Sequence, residues 1–175
     1  MTHIRAIAAA AAVAALLSGC GTMGRTPDKL ISQVKNMNNP SAIQKYEVDR
    51  PLAQVTSTLK EQARRCLAVT VTNTHQGNYA GTTQTDVLTY TPRVTAGGRR
   101  TRLTLQKGFG EEVRMVGEDK PEPDGWYIMV VDAYPAGPHR TRVEAYSGNG
   151  DNVAFKAVKH WIEGDNLGCP DMSRL

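Results

Sequence analysis

Aromatic residues make up only 6% of this 175-residue chain, with two Phe and two Trp. A core of ordinary size must therefore lean on Val, Leu, Ile and Ala. Long apolar runs are missing too. The longest, residues 6–17, would extend about 18 Å as a helix against a hydrocarbon core of about 30 Å, so a membrane-spanning helix is not expected. Basic residues exceed acidic ones by too little, 21 against 17, to point to nucleic acid. No HExxH, CxxC or close His pair occurs, so neither a metal site nor a cofactor is expected. No GxSxG elbow, no P-loop and no repeat with a period of 20–50 residues is present. What remains is a composition, 40% hydrophobic and 22% charged, that belongs to a folded globular domain. Sixteen Gly, nine Pro and many Thr favour strands and turns over long helices.

The short apolar run follows a single basic residue, Arg5, and ends on "LSGC". A basic start, a short apolar stretch and small residues after it describe a cleavable export signal. Leu17, Ser18, Gly19 and Cys20 together resemble the lipobox of bacterial lipoproteins. That resemblance implies a diacylglyceryl group on the Cys20 thiol, cleavage between Gly19 and Cys20, and acylation of the new amine. Two or three acyl chains anchor a protein stably where one does not. An aspartate after the cysteine tends to retain such proteins at the inner membrane. Gly21 stands there instead, so the outer membrane, facing the periplasm, is the expected address.

Three segments follow: a leader at 1–19, a lipid-anchored tether at 20–41, and a single α+β domain at 42–175. The tether offers one short helix, with Thr26 as cap, Pro27 in the first turn, and Leu30, Ile31, Val34 and Met37 on one face. In the domain, "IQKYEV" reads as a strand. A helix follows it, with Asp49 as cap, Pro51 in its first turn and an apolar stripe of Leu52, Val55, Leu59, Ala63 and Cys66. Alternating segments then place Leu88 with Tyr90, and Leu103 with Leu105, on an inward face, and "AGG" at 96–98 turns the chain between them. "EVRMV" is a weaker strand, "GFG" at 108–110 a turn, and 117–125 a loop. Two more strands precede a terminal helix capped by Asp151 and ended by Gly164. The expected fold is an antiparallel sheet of about five to seven strands, with one helix after the first strand and one C-terminal helix packed on one face. In layout this order is similar to helix-grip domains, including those of outer-membrane assembly lipoproteins.

Candidate chemistry is sparse. His75, His139 and His160 are isolated in sequence. "SGNGDN" at 147–152 reads as a tight turn feeding a helix rather than a calcium loop, because a single copy supplies too few ligands. Arg93, Arg99, Arg100, Arg102 and Lys107 crowd one hairpin without an acid among them, while six acids lie at 111–124. These five cations are candidate contacts for an anionic envelope surface. With Cys20 consumed by lipid, Cys66 and Cys169 are the two thiols left in an oxidising compartment, and they are expected to pair. The leading expectation is a non-enzymatic binding or scaffolding module, with an envelope protein or cell-wall polymer as partner, no nucleic acid and no catalytic residue. An envelope-acting enzyme with Cys66 as nucleophile and His160 as base, and a carrier of a small apolar ligand, are the alternatives.

Overall fold

A computed structural model describes residues 23–76, 83–109, 124–165 and 167–175. Six strands, β1 (Ile43–Val48), β2 (Val69–Gln76), β3 (Thr83–Gly97), β4 (Arg100–Phe109), β5 (Trp126–Pro135) and β6 (Thr141–Ser147), form one antiparallel sheet in the order β1-β6-β5-β4-β3-β2. Three α-helices accompany them: α1 (Pro27–Asn36), α2 (Leu52–Cys66) and α3 (Val153–Glu163). The expected α+β class holds, with a helix after the first strand and another near the C-terminus. Because β1 and β2 sit on opposite edges, α2 must carry the chain across the sheet. Fifteen helical residues extend about 22 Å, the same order as five strand spacings of about 4.8 Å.

One face of the sheet is covered by α2 and α3. Val55, Leu59, Ala63 and Cys66 pack there with Phe155, Val158, Trp161 and Ile162, over Leu88, Tyr90, Leu103, Leu105 and Val131. The stripe on α2 is the one its spacing predicts; on α3, Phe155 and Ile162 widen it. Arg50 ties the two helices together. Its Nη1 donates to the carbonyls of Trp161 and Ile162 at 2.8 Å each, and its Nη2 to Thr58 Oγ1 at 3.1 Å. A cation there complements the C-terminal carbonyls of α3, adding to the Gly164 N–H that already reaches the Trp161 carbonyl.

The caps differ from expectation by small steps. Asp49 does not cap α2; Pro51 occupies the N-cap and brings no side-chain acceptor. Asn152, not Asp151, caps α3, accepting from the Phe155 N–H at 3.0 Å, while Asp151 pairs with Lys156 at 3.1 Å. Gly108 and Phe109 close β4 rather than forming a turn. Residues 17–20 of the expected lipobox, the expected "EVRMV" strand and the acids at 111–122 lie outside the described residues.

The larger correction concerns the tether. The expected helix is present, capped by Thr26, whose Oγ1 accepts from the Lys29 N–H at 3.1 Å. It does not stand free. Leu30 and Val34 are fully buried against Val130, Tyr146 and Ala42 on the second face of the sheet. Before it, Gly24 exchanges two backbone hydrogen bonds with Tyr127, at 2.9 and 2.8 Å. A Cβ on Gly24 would come within 2.6 Å of the Leu30 nitrogen, so only glycine allows that approach. The folded body therefore begins near Met23 rather than at residue 42. Sequence periodicity found the helix but could not say that a second sheet face was waiting for it.

The Cys66–Cys169 disulfide joins the end of α2 to the segment after α3, with α-carbons 4.9 Å apart and a sequence separation of 103. It holds down a tail whose Met172 is buried in the main core.

Two stability measurements follow from this packing. Leu30→Ala should lower the free energy of unfolding in urea by about 2–5 kcal/mol, as for a core leucine, where a helix in a loose tether would give almost no change. Protein purified without reductant should yield a crosslinked 66–169 peptide by mass spectrometry, and Cys169→Ser should cost about 2–5 kcal/mol.

Candidate functional site: the basic hairpin and its groove

β3 and β4 pair without interruption from Leu88↔Phe109 to Gly97↔Arg100. The two-residue turn between them, Gly98 and Arg99, has φ +59° at Gly98 and no positive φ at Arg99, which is the II′ pattern. The hairpin carries all five of the cations singled out above, but they do not form one surface. Arg102 is consumed. Its Nε and Nη2 donate to the two carboxylate oxygens of Asp132 at 2.7 Å each, and its Nη1 to Asp28 of α1 at 3.0 Å. The Arg102 side chain is only 13% exposed, so it is not available to an external surface. Its hydrogen bonds to Asp132 push its pKa up from an already high value, keeping it charged.

Arg93 pairs with Asp124 at 2.9 Å. Lys107 lies half-buried over the rings of Tyr90 and Phe109, 5.8 and 5.5 Å from their centroids, and burial pulls its pKa down. Arg99 and Arg100 stand exposed at the tip, Arg100 with only a 4.0 Å contact to Asp132. Alternation along strands explains the scatter, because the register turns successive residues to opposite faces.

Between this tip and the first turns of α2 lies an open groove of about 450 Å³. Ala53, Ser57 and Lys60 form its helix wall, and Ala96, Gly97 and Arg100 its hairpin wall. Thr56 and Thr101 close the floor through a hydroxyl–hydroxyl hydrogen bond of 2.6 Å, with Thr56 also donating to the Leu52 carbonyl at 2.7 Å. Among the described residues no acid lines the groove, and Lys60 supplies its cation, since the Arg100 side chain reaches toward Asp132 on the other face of the sheet. The sequence signal for half of it, the basic hairpin, was legible. Its other wall was not, since 35 residues, β2 among them, lie between Lys60 and Ala96.

The remaining candidates fall elsewhere. His75 sits 3.8 Å from Asp86 in the β2–β3 ladder, and His139 is exposed between β5 and β6. His160 Nδ1 lies 3.0 Å from Asp165 and 3.9 Å from Glu163. Those three side chains could each direct one ligand atom at a cation, and all are partly or wholly exposed. The grouping escapes a sequence scan because Asp165 returns to the helix only after the left-handed Gly164 cap. Cys66, bonded to Cys169, has no thiol to offer as a nucleophile. No protein-family model, no curated protein and no solved structure matches this chain.

Arg102 sets a clear expectation for its partner. Asp132→Ala should destabilise the protein by about 3–5 kcal/mol in urea titrations, because it strands a mostly buried guanidinium. Arg99→Glu at the exposed tip should change stability by less than about 1 kcal/mol.

Proposed function

We propose that this chain is a lipid-anchored envelope lipoprotein, held at the periplasmic side of the outer membrane through Cys20, whose body is a non-enzymatic binding or scaffolding module. The observation that carries the reading is the closeness of Cys20 to the fold. The body begins at Gly24, bonded to β5, so at most about 14 Å of extended chain separates it from the proposed lipid. Such a leash holds the domain against the bilayer instead of letting it roam.

The disulfide suits an oxidising compartment. It also removes the thiol on which the enzymatic alternative rests. A carrier with its ligand between sheet and helices finds less support, because Leu59, Phe155, Trp161 and Ile162 already occupy that layer and are at most 1% exposed. The groove at the hairpin tip is the better binding feature. Counting strand residues from Tyr127 to the level of the tip, it lies about 20 Å from the anchored end. On a membrane-bound domain, that position faces the periplasm.

Cells fed labelled palmitate should incorporate label into this protein, and Cys20→Ala should abolish both labelling and membrane retention. Wild-type protein recovered unlabelled and soluble would overturn the reading.

A further inference from the structure

The free edge of the sheet beside the groove is unevenly used. β2 pairs with β3 only from Gln76↔Thr83 to Val69↔Tyr90, because the chain enters β2 almost directly from α2. β3 continues to Gly97, paired over residues 91–97 with β4 alone. No described residue outside β4 makes a backbone hydrogen bond to that stretch.

Pro92 reveals which groups point outward. It keeps its place in the β4 register, opposite Leu105, yet it has no N–H to contribute. A proline is tolerated there only if its nitrogen faces the open edge. Hydrogen-bonding direction alternates along an antiparallel strand, so Val94 and Ala96 turn both N–H and C=O outward as well. Their side chains lie on the α2 side, since Ala96 pairs with Thr101, whose hydroxyl meets Thr56 of α2. The unpaired edge therefore opens into the groove, facing Lys60 on the helix wall, whereas the Arg100 side chain turns to the other face of the sheet, toward Asp132.

We infer that this edge binds an extended polypeptide segment carrying a carboxylate, which adds to β3 in line with β2. The peptide's main chain pairs with Val94 and Ala96, and its carboxylate pairs with the ammonium of Lys60. A polypeptide fits because the unmet groups form a row of donors and acceptors at strand spacing, which another main chain satisfies in series. An acidic one fits because, among the described residues, the groove presents the exposed ammonium of Lys60 and no acid. Small walls, Ala53, Ala96 and Gly97, leave room for a backbone to approach. Pro92 limits the addition to a short stretch, which guards the edge against indiscriminate pairing. The inference rests on the binding-module reading above and names the class of partner.

A random heptapeptide library displayed on phage and selected on the purified full chain should enrich peptides that contain Asp or Glu and lack internal Pro. Synthetic versions should bind Ala96→Pro at least about tenfold more weakly than wild type, since that change removes one outward N–H and spares the β4 ladder. Lys60→Glu should weaken them comparably. Ala53→Trp, on the exposed helix wall, should block the groove without touching the strand, so the test survives if the proline variant misfolds. Absence of any selected binder, equal binding to Ala53→Trp and wild type, or complete displacement by millimolar inorganic phosphate would each overturn the inference. The module reading is separated by photo-crosslinking in intact cells. A specific partner captured from position 72 on β2, with none from position 53, would keep the module and discard this groove as its site.

Discussion

Burial of β5 from both sides is the constraint on which the rest of the molecule depends. Residues 128–133 are all buried, with Val131 facing the α2–α3 layer and Val130 facing α1. A sheet with one oily face needs a single helical layer; this one exposes apolar surface on its second face and so requires α1. Fully burying a side chain such as Leu30 or Val34 contributes about 1.5–3 kcal/mol, enough to hold a ten-residue helix that would be marginal alone. The N-terminal segment is thereby drawn onto the body.

Covering that face has an electrostatic cost. Asp132 stands between Val130 and Tyr134 on the α1 side and is only 3% exposed. A buried carboxylate needs a partner with good geometry, and Arg102, directly opposite on β4, supplies a two-pronged one. Asp28 on α1 completes the group from the helix side, so one cation links sheet and helix. A residue that looks like surface charge in a basic run thus becomes part of the packing. Arg99 and Arg100 stand exposed at the hairpin tip instead.

The two ends of the sheet differ for connected reasons. At one end Gly24, Tyr127 and Trp126 gather the entering chain, with Arg25 stacked 5.6 Å from the Trp126 ring. At the other, α2 begins without a side-chain cap, β3 outruns β2, and a tight turn leaves Arg99 and Arg100 exposed. Closure is concentrated at the first end and unmet backbone at the second.

Local pattern was enough for the elements themselves. Period-two alternation marked β2 to β4, a 3.6-residue stripe marked α2, and the Cys66–Cys169 bridge was expected from the two cysteines other than Cys20. The turn expected at 96–98 falls on Gly98 and Arg99, with Ala96 and Gly97 still in β3. Errors came where neighbours in sequence compete for one role, as Asp151 and Asn152 do for the α3 cap. By itself, then, the sequence determined secondary structure, the α+β class and which cysteines pair. Only the tertiary structure decided that the supposed tether packs, that Arg102 is spent on Asp132, and that Lys60 meets Ala96 across a groove. The physical reason is range. Periodicity and capping act within a few residues, whereas burial and ion pairing depend on distances that exist only once strands far apart in the chain lie side by side.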